Sequence, residues 1–367
     1  MSLASISINL PALRHNFQQV KMVTHDRGVI AMVKANAYGH SIEHITTALH
    51  DTEAFGVASI GEGILIRAAG IIKPIFLMQG ILDKEELQEA IHQKFGLVIH
   101  HASQVELLKN CKHNDPISIW LKIDTGMNRL GFDPLEALAV YEKLLACPVV
   151  KKPIGLMTHF AEADNLAGSM TKKQLEIFHA ATKQLPGPRS IANSAGILGW
   201  PDSHADYVRP GIILYGVSPF ANTCGQDFNL QPVMSLSTHL IAIQKVRKNE
   251  AIGYGCGWIA PQDMLVGVAG LGYADGYPQF AKSGTPANVS GTLCPLVGRV
   301  SMDMLTVDLS QHPNPQIGDN VTLWGNDLPI ERIAQHCETS PYELLCRVTT
   351  RARVKVVSIK AVTPEAA

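Results

Sequence analysis

At 367 residues, 46% of them hydrophobic, the chain is long enough to bury a sizeable core, and its length alone suggests two domains. Against 32 Asp and Glu stand 31 Lys and Arg, a formal net charge of −1, so no field exists to draw in nucleic acid or an anionic membrane surface, and a small-molecule partner is favoured. The start, MSLASISINL, carries neither a positive n-region nor an apolar run long enough for a signal peptide, and no later segment reaches transmembrane length, so the expectation is a cytoplasmic protein without membrane association.

The first strand candidate, ASISINL, precedes the main pattern and is open to pairing with the second, β-rich domain, a choice that periodicity does not settle. From about residue 28 short apolar runs alternate with helical patterns. The runs are GVIAMV (28–33), FGVAS (55–59), PIFLM (74–78), GLVIH (96–100), ISIWLKI (117–123), IGLMTH (154–159), SIAN (190–193) and ADYVR (205–209). Between them lie segments such as DKEELQEAIHQK and PLEALAVYEKLLA, whose apolar residues recur every three or four positions as an amphipathic helix requires. Eight strand–helix alternations predict an α/β fold, a (β/α)8 barrel over residues 1–228. From 229 to 367 the segments LSTHLIAIQKV, MLVGVAGLGY, MLTVDLS and NVTLWG are β-rich and separated by Gly, Pro and Asn turns, with one late helix expected near PYELLCRV, which predicts a mainly β second domain.

The seven cysteines are odd in number and lack CxxC spacing, no HExxH occurs, and the histidine pair in IHH (99–101) falls in a strand-to-helix passage. Reduced, mostly structural cysteines and no metal centre are expected.

In a barrel of this kind active sites lie at the C-terminal ends of the strands. Lys34 follows the first run; Asp124 and Arg129 follow the fifth, in KIDTGMNRLGF; His159 ends the sixth; Asn193 ends the seventh and Ser194 follows it; Arg209 ends the eighth and Gly211 comes soon after. The last two loops, IANSAG and VRPGI, stand where this architecture often holds phosphate on backbone N–H groups. Taken singly, Ser194 reads as a helix cap, Gly211 as a turn and Lys34 as a surface cation. Together they suggest pyridoxal 5′-phosphate, because lysine can lose its charge by desolvation and condense with an aldehyde as a Schiff base.

VKANAYGH, DTGMNRLG, MTHFAEAD, NSAG, VRPGIILYG, IGYGCGW, GYADGYP and VGRVSMDM occur in this order along nearly the whole chain, and with them the sequence resembles the alanine racemases, the pyridoxal-phosphate enzymes of barrel type. The resemblance implies an isomerase that interconverts L-alanine and D-alanine for peptidoglycan, working as a homodimer with shared active sites. It implies that Lys34 holds the cofactor and serves as one of two proton-transfer bases. Tyr254, in the GYG of the β domain, would be the other, supplied by a partner subunit. Tyr38, Ser194 and the N–H groups of Gly211 and Ile212 would bind the phosphate; Arg209 would face the pyridine nitrogen, with His159 close to it and to the ring. Arg129, assisted by the backbone at Met302, would hold the substrate carboxylate, and Tyr273 and Asp164 would line the access passage. Lys122 matches a position the family can carry as a carbamylated lysine, an anion able to orient Arg129.

Racemisation removes a proton from one face of Cα and returns one to the other, which two opposed bases do better than one fixed base. Lysine and tyrosine, with ordinary pKa values of about 10.4 and about 10, need theirs lowered to act near neutral pH. Arginine at the pyridine nitrogen only donates hydrogen bonds, so it leaves that nitrogen unprotonated and the ring a weaker electron sink, which disfavours side reactions such as transamination. The chain departs from the family at Cys346, in LLCRV, where a tyrosine often reaches the phosphate, and at Gln279, where arginine is common. A broad-specificity amino-acid racemase, a barrel-type amino-acid decarboxylase and a non-catalytic cofactor carrier are the competing readings. Arg209 and Tyr254 weigh against the decarboxylase, and a β domain bearing Tyr254 and Met302 weighs against the carrier.

Overall fold

The computed structural model describes residues 3–113 and 115–358. Chain contacts divide them into two units. One consists of Phe17–Leu214 with Pro219–Ala221; the other of the described residues up to Asn16, Tyr215–Ser218 and those from Asn222 onward.

The chain begins with β1 (Ser5–Asn9), which belongs to the second unit. The first unit is built on β2 (Gly28–Met32), β3 (Ala54–Val57), β4 (Ile75–Leu77), β5 (Gly96–Ile99), β6 (Ile117–Lys122), β7 (Val150–Met157), β8 (Arg189–Ser190) and β9 (Tyr207–Val208), which close into a barrel in chain order. Every neighbouring pair is parallel, including β9 back to β2. Strands buried on both faces need continuous apolar sequence, which is why all eight stand out as runs. The seventh and eighth runs, SIAN and ADYVR, pair over only two residues each, because the chain leaves the barrel wall almost at once to build rim loops. The sixth run starts earlier than expected, at Val150, where the exposed Lys151 and Lys152 break the apolar pattern.

Successive side chains on a strand alternate between barrel interior and exterior. Ile30, Ala54, Val98, Trp120 and Met157 form one buried cluster, with Phe76, Met78 and Tyr207 packed on it. Trp120 meets Phe76 and Tyr207 edge-on at 5.9 and 5.6 Å between ring centroids, an arrangement worth about 0.5–1.5 kcal/mol per pair beyond area burial. The indole needs the room left by Gly155 on the next strand, where a Cβ would sit 2.3 Å from the ring. This layer plugs the barrel, and residues two positions further along several strands stand above it: Lys122 beyond Trp120, His159 beyond Met157, Arg209 beyond Tyr207, and His100 beyond Val98.

The helices follow the sequence pattern. Asp83 caps Lys84–His92 by accepting the Glu86 N–H at 2.8 Å, as an N-cap carboxylate should. Helix Met170–Thr182 buries Thr171, Gln174, Leu175, Phe178 and Thr182, one stripe at helical spacing.

The second unit is a mainly antiparallel sheet around β10 (Met234–Val246). The unit's other strands are β11 (Ala251–Ile252) and β12 (Trp258–Ile259), which pair with each other as a separate two-stranded sheet, and β13 (Met264–Ala269), β14 (Pro286–Val289), β15 (Thr292–Pro295), β16 (Leu305–Asp308), β17 (Asn320–Trp324) and β18 (Arg353–Val357) of the main sheet. The first part of β10 pairs with β1 and β17 and the rest with β13, with register shifts at Leu236/Ser237 and Leu240/Ala242 that bend the strand toward each partner. β1 is held between β10 and the parallel β18, so the strand whose partner the sequence leaves open pairs within the β unit. The helix expected near PYELLCRV is Pro341–Arg347; a second, Ile330–His336, was not foreseen, its seven residues being too few to establish a period. Among the described residues no helix is long and apolar enough to cross a membrane.

Candidate active site

Lys34 begins a turn of the wrong hand. Ala35, Asn36, Ala37 and Tyr38 all have φ between 52° and 54°, followed by Gly39 at 80°. Asparagine and glycine visit this region readily, but for L-residues such as Ala and Tyr it costs roughly 1–2 kcal/mol each. The turn is therefore held from several directions. Glu62 accepts the Ala35 N–H at 2.6 Å and the Ala58 N–H at 2.8 Å; Asn36 Oδ1 accepts the Ile42 N–H at 2.9 Å; the fully buried His40 ring donates from Nδ1 to the carbonyls of Tyr38 and Ala37 at 2.8 and 3.1 Å. Burial lowers the His40 pKa to about 4, so the ring is neutral at physiological pH. Strain concentrated in one segment and over-determined by its surroundings marks a functional position.

Tyr38, 7% exposed, emerges from this turn against Gly211. A Cβ on Gly211 would lie 2.4 Å from the tyrosine hydroxyl, so only glycine lets that hydroxyl and the backbone come together. The Gly211 N–H donates to Ser194 Oγ at 2.9 Å. Ser194 is not the cap of its helix: Asn193 is, accepting the Gly196 N–H at 2.9 Å. The serine hydroxyl is thereby left to face Gly211. Ile212 opens the 3-10 turn Ile212–Tyr215, and N–H groups at the start of such a turn point outward without an intrahelical partner. The Tyr38 and Ser194 hydroxyls thus meet at the Gly211 backbone, with Ile212 next along the chain.

The Arg209 guanidinium, 4% exposed, donates to Ser190 Oγ at 2.7 Å, to the carbonyls of Thr158 and Ile191 at 2.5 and 3.1 Å, and to His159 Nδ1 at 3.4 Å. Burial lowers its pKa to about 10, so it remains charged. The His159 pKa is held well below the ordinary value, by burial first and then by the charges of Arg209, Lys122, Arg129 and Lys34. Lys122, 9% exposed, has its pKa lowered to about 8 by burial and by Arg209 and Arg129, with Asp124 opposing and Lys34 adding a smaller push. Four cations therefore act on one region of the rim.

The Asp124 carboxylate does not neutralise them by pairing with a side chain. It accepts the N–H groups of Gly126, Met127 and Asn128 on one oxygen at 2.9, 3.0 and 3.1 Å and that of Arg129 on the other at 3.1 Å, shaping the loop that presents the exposed Arg129. A region with this charge and these donors suits an anionic ligand with a phosphate at one end and a carboxylate near Arg129, and the cradle at Gly211 fits pyridoxal phosphate. Asp164 is exposed on the loop after β7.

In the β unit, Tyr254 begins a short 3-10 turn between β11 and β12 and is 72% exposed. Gly253, Gly255 and Cys256 around it all have positive φ, and the Arg299 guanidinium lies alongside Gly255. Tyr273 and Ala274 donate their N–H groups to the carbonyls of Ser301 and Met302, both at 3.0 Å, so the GYADGYP and SMDM segments are stitched together. Met302 is 53% exposed, and Gln279 is exposed nearby in sequence. Asp275, 1% exposed, accepts the Gly272 N–H at 3.0 Å and faces Arg351, which also donates to Asp303 at 2.7 Å. Cys346 is exposed on helix Pro341–Arg347. All seven cysteines are free thiols. Among the described residues no group of three or more His, Cys, Asp or Glu could hold a metal.

Sequence reasoning passed over Glu62, His40 and Gln174. The S-x-x-E spacing of Ser59 and Glu62 signals a capping box, but nothing local reveals that the carboxylate also holds the turn after Lys34.

Two family models match the chain: the N-terminal domain of alanine racemase over residues 8–219 and its C-terminal domain over 233–356. An alanine racemase of Coxiella burnetii is 46% identical over 362 residues, 96% of this chain and 98% of that protein. The crystal structure of biosynthetic alanine racemase from Pseudomonas aeruginosa superposes with a TM-score of 0.95 at 41% identity, covering 98% of this chain and all of that one. A structure of alanine racemase from Bartonella henselae with covalently bound pyridoxal phosphate has a TM-score of 0.88 at 27% identity over 97% of this chain and 100% of that one.

Proposed function

This chain belongs to the alanine racemase family, and we propose that Lys34 and Tyr254 are its two proton-transfer groups in the interconversion of L-alanine and D-alanine. The observation that carries the reading is the Gly211 cradle lying on the same barrel rim as four cations. When bound, pyridoxal phosphate supplies a conjugated ring that withdraws electrons from the substrate Cα.

The chain's own groups do the rest. Lys34, exposed at the end of β2, anchors the cofactor, and once substrate has displaced it, moves a proton at one face of Cα. Tyr38 and Ser194 hydroxyls with the Gly211 and Ile212 N–H groups hold the phosphate, and a charge-assisted hydrogen bond to a phosphate oxygen is among the stronger kinds. Arg209 is fixed by three acceptors and presents a donor, never an acceptor, to the ring nitrogen. His159, neutral, adds no further charge beside it. Arg129 takes the substrate carboxylate as a planar fork, helped by the backbone at Met302, with Tyr273 and Asp164 along the access passage.

Tyr254 acts at the other face of Cα and comes from a second copy of the chain. Its 72% exposure and that of Met302 at 53% support this, since aromatic and thioether side chains left open on short turns favour coverage by a partner. Lys122 is carbamylated: a buried amine with its pKa lowered to about 8 has far more of the neutral form near neutral pH than an ordinary lysine, as attack on carbon dioxide requires. The resulting anion and released proton exchange one of four crowded cations for a counter-charge that orients Arg129. The enzyme works in the cytoplasm, where D-alanine enters peptidoglycan synthesis.

The test is spectroscopic. Holoenzyme should show the visible band of lysine-bound cofactor, and Lys34→Ala should lose both that band and racemisation; a band that survives Lys34→Ala unchanged rules out the anchoring role.

A further inference from the structure

Helix Met170–Thr182 carries a glutamine, Gln174, that is 0% exposed and has no part in the chemistry assigned above. Its amide is spent on three groups of the rim. Oε1 accepts the Ala161 N–H at 2.9 Å, and Nε2 donates to the His159 carbonyl at 3.0 Å and to Thr125 Oγ1 at 3.2 Å. Thr125, 2% exposed, is in turn 2.8 Å from the fully buried Thr158 hydroxyl. The side chain must offer a donor and an acceptor at once, which glutamine does and glutamate or methionine does not.

Two of these contacts lead to residues of the proposed site. Thr125 directly follows Asp124, whose carboxylate shapes the loop up to Arg129. The His159 carbonyl belongs to the residue whose ring meets Arg209 at 3.4 Å. Thr158, at the far end of the hydroxyl pair, accepts from the Arg209 guanidinium through its own carbonyl. The loops after β6 and β7 come from different strands and have no covalent reason to keep a fixed spacing; the buried amide ties both to one helix.

We propose that Gln174 is a positioning residue that sets the spacing between the substrate-carboxylate arginine, Arg129, and the cofactor-facing pair His159 and Arg209. The inference rests on the racemase reading. A buried network of this kind is costly when partly satisfied, so removing the amide leaves the His159 carbonyl and Ala161 N–H without partners and lets the two loops drift apart. A displacement of about 1 Å at reacting groups can cost on the order of a hundredfold in rate.

The experiment compares holoenzyme carrying Gln174→Met, Gln174→Glu or Thr182→Val. Thr182 is fully buried on the same helix and its hydroxyl donates to the Phe178 carbonyl of that helix, so replacing the hydroxyl controls for helix destabilisation. Gln174→Met should lower kcat/KM for both alanine enantiomers about a hundredfold, with KM raised as well as kcat lowered and the cofactor band displaced, while Thr182→Val leaves all three near wild type even where its Tm falls as far. Gln174→Glu should be impaired at alkaline pH and regain activity relative to wild type as pH falls, because the protonated carboxyl recovers a donor for the His159 carbonyl. If Gln174→Met loses no more than Thr182→Val at matched stability, or, should the methionine variant not fold, if Gln174→Glu follows the wild-type pH profile, the positioning role is overturned. A wild-type enzyme that does not racemise alanine would instead overturn the reading on which the inference rests.

Discussion

The barrel rim and the exposed turns of the β unit hold the two halves of the proposed chemistry in opposite physical states. On the rim the backbone is strained and tightly tied: four consecutive non-glycine residues at positive φ after Lys34, a loop folded onto Asp124 through four N–H groups, and an arginine 4% exposed among fixed acceptors. In the β unit Tyr254 and Met302 stand on short turns and are 72% and 53% exposed. The proposed cofactor site is thus one whose groups are already fixed in place, where reorganisation is costly and precision matters. The proposed second proton-transfer group is left open, as suits a residue proposed to complete its surroundings only on association.

The contrast can be broken at its open side first. Tyr254→Phe should lower kcat/KM by about 10²–10⁴, the range of general acid–base catalysis, with Tm unchanged because so little of the residue is buried; a fall in Tm of several degrees would mean that the turn is structural. At the closed side, Gly211→Ala forces a Cβ against the Tyr38 hydroxyl. Overpacking costs about 1–3 kcal/mol, so cofactor affinity measured by equilibrium dialysis should fall about tenfold or more, with the apoprotein still folded.

Whether the open turn belongs to a neighbour's site is settled by mixing. Lys34→Ala and Tyr254→Ala subunits, each inactive alone, should on verified exchange recover about a quarter of wild-type activity, since with random pairing half the dimers are mixed and half their sites whole. Mixed dimers as inactive as their parents would return Tyr254 to its own chain. The smallest effect is on stability. His40 has a folded pKa of about 4, below its ordinary 6.5, so the unfolded chain binds its proton first and stability falls as pH drops from 6.5 toward 4. At about 1.36 kcal/mol per pKa unit this group contributes on the order of 3 kcal/mol. His40→Asn should flatten that part of the Tm profile, though other buried histidines keep some of the slope.

Barrel strands were legible because burial on both faces leaves no polar alternation to confuse them, and the rim residues were legible because the architecture says where strands end. The left-handed turn was not, since Ala and Tyr have no local preference for it; it is held by Glu62 and His40 from outside and by the Asn36 side chain within. Gln174 was hidden for a related reason: one polar residue in MTKKQLEIFHAAT looks solvated until Thr125, His159 and Ala161 are folded around it. The place of β1 in the β domain was open to the sequence only as one alternative, because its partners β10 and β18 lie more than two hundred residues away in sequence.

The most direct test of the two-base account follows hydrogen at Cα. When undeuterated L-alanine is converted in D2O and the first D-alanine formed is analysed by mass, opposed Lys34 and Tyr254 predict that it carries solvent deuterium at Cα, because the proton removed and the one returned travel on different groups. Product that keeps the substrate's own hydrogen would show that a single base carries it from face to face, and would contradict the account.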